Sequence, residues 1–426
     1  MPDRRVAVIA GCRTPFSRSG TVYRDLSAVD LGKAAVRELL ERTGVDPASI
    51  ETLVMGQVVP SVRAPNLGRE VALGAGLPSE VPAHTVNRAC ASACQAIADV
   101  ASGIRLGHLD AGIAGGAECL SDVPIPLGRR LARALVEAQR AKSLGSRLEI
   151  LARLRPRDLV PEWPAVAEPS TGLTMGQSAE KMAQENGITR EEQDGIALQS
   201  HRNGWAATED GRLGQETAPF FVPPRYEPVT SDNLLRKDTS PEALAALPPV
   251  FDKRNGSVTA GNSSALSDGA AAVLLMSEER ARAEGHEPLA FVRSWAVAAV
   301  DPGGQLLMGP GIAVPKALER AGVELADIGL VEMHEAFAAQ VASNIQALES
   351  ETWARDTLGR SKAVGRVDRD RLNVCGGSIA LGHPFGATGA RLVTTLANEM
   401  KRRGVALGLV SVCAQGGMGF AMVLER

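Results

Sequence analysis

Aromatic side chains are scarce in this chain: 8 Phe, 4 Trp and 2 Tyr make up 3% of 426 residues. A protein that stacks bases along a single strand needs more such rings, so that class of nucleic-acid binder is excluded. Charge of either sign in excess is also missing. A formal net charge of −3 makes no case for a polyanionic partner. Cysteines are few, six at positions 12, 90, 94, 119, 375 and 413, with no CxxC pair and too low a density for a disulfide scaffold. The expectation is a reduced, cytoplasmic protein. Long apolar runs are lacking too: Met1-Pro2-Asp3-Arg4-Arg5 is followed by only five apolar residues before Gly11, too few for a signal peptide, and no run reaches membrane-spanning length. What is present instead is glycine, 44 residues of it, within a chain that is 44% hydrophobic. Small and branched aliphatic residues that bring backbones close suit a layered α/β structure of two or three domains.

Two stretches carry candidate chemistry. Asn87-Arg88-Ala89-Cys90-Ala91-Ser92-Ala93-Cys94 lies between an extended run, Val81 to Val86, and an Ala-rich helical run, Cys90 to Leu106. A cysteine at such a junction meets the unpaired N–H groups and positive dipole end of a helix, which favour thiolate over thiol. Cys90 is therefore a candidate nucleophile; the alternative is that Cys90 and Cys94, four apart on one helix face, are small buried hydrophobes. Near the other end, the glycine-dense loop Gly376 to Gly389 holds His383 beside Pro384 and feeds a helix, roughly Thr388 to Arg402. Glycines let backbone approach a ligand closely, so a histidine set among them is a candidate base. The apolar run Val405 to Val412 then reads as a buried strand ending in Cys413-Ala414-Gln415-Gly416-Gly417-Met418-Gly419, which delivers Cys413 to a strand's C-terminal end, where open α/β sheets place their sites. Cys12, just past a first strand at Val6 to Ala10, reads as structural. An amphipathic helix is expected from Ala28 to Thr43.

An internal repeat links the two halves. Leu40 to Met55 matches Leu318 to Met333 at a constant offset, with eight of sixteen positions identical. Each half continues into a reactive loop, a helix (from Cys90; from Thr388), a strand (Ala111 to Ala114; Leu407 to Val412) and glycine-rich sequence. Two copies of one α/β unit follow. Between them, from Asp122 to Pro249, prolines including Pro124, Pro126, Pro156, Pro161, Pro164 and Pro169 mark an irregular insert. Inside it, Arg129 to Asp158 carries nine basic residues against three acids, interleaved with leucines. This basic amphipathic pattern suits an anionic membrane surface, a partner, or a solvated face.

Asn87-x-x-Cys90-x-Ser92, the Gly-His383-Pro loop and Cys413-x-x-Gly-Gly-Met-Gly, in that order, resemble the thiolase superfamily. Matches at Arg13 to Phe16, Gly115 to Glu118, Met175 to Glu180, Thr259 to Ser264, Asp268 to Ala271 and Glu335 to Ala338 extend the resemblance along the whole chain. Met333-His334-Glu335-Ala336-Phe337, where most thiolases have Asn-Glu-Ala-Phe, is most similar to 3-ketoacyl-CoA thiolases of the trifunctional β-subunit type. The resemblance implies a duplicated α/β/α/β/α layered fold with an inserted loop domain: a first half over 1–121 completed by about 250–285, a loop domain over 122–249, and a second half over 286–426. It implies thiolysis of 3-ketoacyl-CoA, with a short-chain acetoacetyl-CoA thiolase working in the synthetic direction, or a non-catalytic acyl or sterol carrier, as alternatives.

The same resemblance assigns roles. Cys90 carries the acyl group, His383 activates it, and Cys413 is the acid and then the base. One oxyanion hole joins the Cys90 N–H to an N–H of the Gln415 to Gly417 loop, and the other uses His383 with His334, as a neutral donor or as a cation. Thiolases usually have glycine at Gln415; its N–H survives the change if the residue does not require positive φ. Coenzyme A, a substrate and not a resident cofactor, would meet Arg236 at its nucleotide end and Ser264 along the pantetheine, with Ala260, Met175, Phe337 and Gly417 lining the site. No metal is implied. The partners implied are acyl-CoA, a second copy of the chain in a homodimer or larger oligomer, and a subunit with hydratase and dehydrogenase activities, with peripheral membrane contact as a further option for the basic stretch. A β-ketoacyl synthase would have histidine in place of Cys413, and a cysteine protease would have no use for a second cysteine.

Overall fold

The computed structural model describes residues 4–161 and 167–426; Met1, Pro2, Asp3 and Pro164 fall outside these. The strands are β1 (Val6–Arg13), β2 (Ser17–Arg18), β3 (Leu53–Gly56), β4 (Ala83–Val86), β5 (Ala111–Cys119), β6 (Phe220–Val222), β7 (Glu227–Val229), β8 (Ser267–Ser277), β9 (Ala290–Ala299), β10 (Leu330–Met333), β11 (Leu407–Ala414) and β12 (Met418–Glu425). Nine run in the order β10-β11-β12-β9-β1-β8-β5-β3-β4, β2 pairs with β8, and β6 and β7 form a separate hairpin. In the first half β3 runs parallel to β4 and β5 while β8 and β1 run antiparallel; in the second β10 runs parallel to β11 while β12 and β9 run antiparallel. The halves join where Val6 to Val8 of β1 pair with Ala290 to Val292 of β9.

Period-two alternation sets the layers. Val6 and Val8, Val273 and Leu275, and Phe420, Met422 and Leu424 face a central core shared with the inner helices Ser92–Arg105 and Thr388–Arg403. The residues between them face outward. Ala7, Ile9, Leu274 and Met276 meet the helices Ala28–Thr43 and Leu67–Ala75, while Ala421 and Val423 meet the helices Pro310–Ala321 and Ala338–Glu349. One continuous sheet thus carries the inner helices on one face and an outer pair of helices on the other face of each half, the α/β/α/β/α arrangement that the resemblance implies.

The sequence repeat is a structural one. The helix Ala28–Thr43 starts at a capping box of Ser27 and Asp30 and ends at Gly44, φ 63°; the helix Pro310–Ala321 ends at Gly322, φ 66°. Both glycines occupy the left-handed cap that other residues enter at a cost. A short turn, Pro47–Ser49 or Leu325–Asp327, then feeds β3 or β10. The halves differ at their edges: β4 leads into the Cys90 loop, whereas its counterpart before the His383 loop is a single bridge, Leu372 to Val331.

Four boundaries move from their predicted places. β1 runs on to Arg13, so Cys12 lies within it and not past it, and β11 spans Leu407–Ala414, so Cys413 lies inside it. β5 continues to Cys119, so Gly115 and Gly116 lie within the strand and not after it. Close approach explains them: a Cβ on Gly116 would lie 1.9 Å from the Gly386 carbonyl oxygen, and one on Gly115 2.3 Å from that of Ala271. The helix after Cys90 starts at Ser92, two residues later than the pattern suggests. Cys12 is buried and donates to the Ala35 carbonyl at 3.0 Å, a structural role. Cys94 is buried too, and Gly389 gives it room, since a Cβ there would lie 2.6 Å from its sulfur.

Val123–Ala167 forms a compact unit of its own, and the remaining described residues form the body. The small unit holds the helices Arg129–Arg140 and Leu144–Ala152, on which only Ala134 and Ala138 are buried; Leu135, Val136, Leu144, Leu148 and Leu151 are exposed. Among the described residues no helix is long and apolar enough to cross a membrane.

Candidate active site

Cys90 sits on a strained turn. Ala89 has φ 45°, a left-handed conformation costing about 1–3 kcal/mol for a residue with a Cβ. The motif residues around it hold it there: Asn87 Oδ1 accepts the Ala89 N–H at 3.0 Å, Asn87 Nδ2 donates to the Val58 carbonyl at 3.2 Å, and Ser92 Oγ accepts the Arg88 N–H at 2.8 Å while donating to the Ala89 carbonyl at 2.6 Å. Thus Asn87 and Ser92 serve the loop, leaving Cys90 to face the site. Of the six cysteines it alone is not fully buried.

Two histidines meet it. His334, immediately after β10, and His383, on the glycine-rich loop, have ring centroids 4.0 Å apart. A ring nitrogen of each and the Cys90 sulfur all lie within 4.8 Å of one another. The Nδ1 of His383 is 2.6 Å from Thr388 Oγ1 and that of His334 is 2.8 Å from Ser378 Oγ, whereas both Nε2 atoms are buried without a protein partner. A buried ring nitrogen left over from otherwise paired imidazoles is available to a substrate.

Burial overrules the helix terminus in setting the protonation state. Desolvation pushes the Cys90 thiol up to about 12, against the opposing pull of the Gln415 and Cys90 backbone N–H groups. The resting group is a thiol, which corrects the expectation of a preformed thiolate. Desolvation, with the positive charge of Arg391, holds His383 down at about 3; burial, then the neighbouring His383 and the charge of Arg391, hold His334 well below its ordinary value. Both imidazoles are neutral, so the cationic option for His334 is withdrawn. Cys413 is 1% exposed and pushed well above the ordinary thiol range, by burial first and the neighbouring Cys90 second. Because His383 does not titrate near an ordinary histidine's 6.5, kcat/KM should stay flat from about pH 7 to about pH 5, where a normal histidine base would lose most of its activity. A pH profile on the free enzyme checks this.

The loop after β11 supplies a donor facing Cys90. The Gln415 N–H lies against the Cys90 sulfur, and the left-handed positions in this loop are Gly416, φ 85°, and Gly417, φ 73°, while Gln415 is not one. Its departure from glycine therefore costs nothing in backbone strain. Gly417 has a packing reason for lacking a side chain, because a Cβ would lie 2.3 Å from the Val300 carbonyl oxygen. Glu168 accepts the Gly416 N–H at 3.0 Å and steadies the loop.

Buried carboxylates unite these loops; both stand in stretches matched from the sequence, but their part in the site was missed there. Glu118 accepts N–H groups from Val58, Val59 and Gly386 at 2.9, 3.0 and 2.9 Å, which ties the end of β5 to the His383 loop; burial pushes it up to about 7. Glu335 accepts from Ser200 Oγ at 2.7 Å, Asn373 Nδ2 at 2.6 Å and the Ile379 N–H at 3.1 Å. An acid within a buried apolar or glycine run was the available signal in both cases.

The predicted coenzyme contacts fall in two groups. Arg236 and Ala260 line one cleft together with Arg18, His201 and Ser263. From it the segment Thr259 to Ser267 runs toward the histidines: the Ser264 N–H bonds the Ala336 carbonyl at 3.0 Å, Ser263 bridges to Phe337, and Ser267 Oγ accepts the His383 N–H at 3.1 Å. Met175 and Phe337 pack on the apolar cluster that contains Cys413, with Phe251 edge-on to Phe337 at 6.2 Å. Thr174 caps the helix Met175–Asn186 by bonding Gln177.

Residues 6–279 match the thiolase N-terminal domain and residues 286–426 the thiolase C-terminal domain. This chain belongs to the thiolase family. It is 52% identical over 421 residues to a 3-ketoacyl-CoA thiolase of Serratia proteamaculans and 51% identical to one of Cronobacter sakazakii, covering 99% of this chain and 97% of each relative. Its structure superposes on human mitochondrial 3-ketoacyl-CoA thiolase with a TM-score of 0.84 at 33% identity, covering 99% of both chains. Superposition on the Bacillus anthracis acetyl-CoA acetyltransferase gives 0.85 at 34% identity, covering 99% of this chain and 98% of the other.

Proposed function

We propose that the chain is a 3-ketoacyl-CoA thiolase, cleaving its substrate with coenzyme A to acetyl-CoA and a shortened acyl-CoA in fatty-acid β-oxidation. The observation that carries this is the convergence of the Cys90 sulfur with the His334 and His383 rings in one buried site, with Cys413 beside it. His383 Nε2 takes the Cys90 proton as the sulfur attacks carbon 3, so charge forms only when a substrate is in place. The carbon 3 oxyanion is held by the Cys90 and Gln415 N–H groups. The bond between carbons 2 and 3 then breaks, and the thioester enolate of acetyl-CoA is held by His334 and the now protonated His383. Cys413 gives its proton to carbon 2 and acetyl-CoA leaves. The Cys413 thiolate deprotonates incoming coenzyme A, whose sulfur displaces the acyl group from Cys90, and His383 returns the proton to Cys90. Arg236, Ser264, Ala260, Met175, Phe337 and Gly417 are proposed contacts along the coenzyme path.

Steady-state rates against ketoacyl-CoAs of four to sixteen carbons, in both directions, test the reading. Activity confined to the four-carbon substrate and faster in synthesis would replace it with the acetoacetyl-CoA alternative. Retention of both cysteines and His383 argues against a non-catalytic carrier. For His334, replacement by alanine should lower kcat on the order of 100-fold with KM little changed, since the bond strengthens only as charge develops. His334→Asn should recover much of the loss by holding a water in the same place. Unchanged turnover in the alanine variant would remove His334 from the reaction.

We also infer a homodimer or larger assembly. β4 ends the sheet with one neighbour, β3, and its residues are only partly buried, so its free edge offers backbone groups to a second copy. Sedimentation equilibrium should give at least twice the chain mass, and a monomeric mass would refute it. The basic, leucine-bearing helices of the small unit suit an anionic surface, either a hydratase and dehydrogenase subunit or lipid headgroups. Co-sedimentation with anionic vesicles that weakens as salt rises would support the lipid surface.

A further inference from the structure

We propose that Ser378 and Arg391 are positioning residues that set the tautomer of His334, so that the two facing imidazoles do opposite work. Each assignment follows from counting hydrogens on a buried hydroxyl. Thr388 Oγ1 donates its one hydrogen to the Pro384 carbonyl at 3.0 Å, so toward His383 Nδ1, 2.6 Å away, it can only accept. His383 therefore carries its proton on Nδ1 and turns a bare Nε2 lone pair to the site, as a base must. At His334 the order is reversed. Arg391, fully buried and a donor only, gives Nη2–H to Ser378 Oγ at 3.0 Å. Ser378 is itself fully buried, and the acceptor left for its hydrogen is His334 Nδ1 at 2.8 Å. His334 thus carries its proton on Nε2, as an oxyanion donor must.

Arg391 is held in register by Glu332, at 3.1 Å, two residues before His334 on β10. Glu332 is itself pushed up to about 8, by burial first and against the pull of Arg391. The strand that delivers His334 thus also anchors the group that sets its proton. The same assignment bears on Cys90, His334 and His383 as a metal cradle, the one such group of three among the described residues. His334 turns a proton inward there, leaving two lone-pair ligands in place of three.

The experiment has one arm that needs no reaction, so its failure is distinguishable from failure of the thiolysis reading on which the kinetic arm rests. Long-range proton–nitrogen correlation spectra of the ¹⁵N-histidine-labelled, substrate-free enzyme, with His334 signals identified by their loss in His334→Asn, should show His334 protonated on Nε2 and His383 on Nδ1. Ser378→Ala should abolish the exclusive Nε2–H form of His334 and lower kcat roughly tenfold at unchanged KM, the scale of one buried hydrogen bond. In a His334→Asn background, where no tautomer exists, Ser378→Ala should change kcat less than about twofold. His334 protonated on Nδ1 in the unmodified enzyme, or an equal loss in both backgrounds, would overturn the proposal.

Discussion

Cys90→Ala is expected to lower thiolysis on the order of 10⁴-fold or more, the scale on which removal of a nucleophile collapses a concerted site. The alanine leaves the Ala89 turn, the Asn87 and Ser92 bonds and the helix Ser92–Arg105 untouched, because none of them uses the sulfur. Folding should therefore be unchanged, and thermal unfolding checks that. Mass spectrometry after a stoichiometric pulse of ketoacyl-CoA should place the acyl mass on the peptide containing Cys90 in the unmodified enzyme and nowhere in the variant. Acylation that persists in Cys90→Ala would sink the assignment. Among the other cysteines, Cys12, Cys94, Cys119 and Cys375 are buried, and Cys90 is the one whose sulfur is grouped with the His334 and His383 ring nitrogens.

Cys413→Ala should cost about 10³-fold in turnover, the range of a lost acid and base, but in a different way. Cys90 and His383 remain, so the variant should still take an acyl group from a preformed thioester onto Cys90. It should fail to exchange the methyl hydrogens of acetyl-CoA with deuterium from solvent, because the proposed reaction gives Cys413 the proton transfer at that carbon. Exchange at the unmodified rate would transfer the role elsewhere. The high thiol pKa imposed by burial suits a group that protonates carbon. Carbon 2 of a thioester enolate is strongly basic, and a thiol that holds its proton until that carbon appears avoids losing it to bulk water.

Several of these features are legible in the chain alone, and each is local. The helix Ala28–Thr43 appears at its predicted residues because amphipathic spacing is a local pattern; the capping box and the Gly44 cap that close it are equally local. Leu40 to Met55 and Leu318 to Met333 build the same cap, turn and strand because equal local sequence makes equal local structure. Asn87, Cys90 and Ser92 can be picked out because their bonds span at most four residues among themselves. The protonation of Cys90 is misjudged from sequence for the complementary reason. A helix terminus is visible there, but desolvation depends on what both halves pack around the sulfur.

The sequence by itself therefore determined the repeat of one α/β unit, the reactive loops and the order in which Cys90, His334, His383 and Cys413 occur. Tertiary structure alone decided what surrounds each of them. Glu118 binds N–H groups 59 and 268 residues away, Glu335 binds a hydroxyl 135 residues away, and Arg391 reaches Glu332 across 59 residues. Such partners leave no periodic trace, because a buried polar group is satisfied by whatever the fold brings beside it. The same holds for the protons: which nitrogen of His334 or His383 is bare depends on Ser378 and Thr388, and whether Cys90 rests as thiol or thiolate depends on how much water the closed halves leave around it.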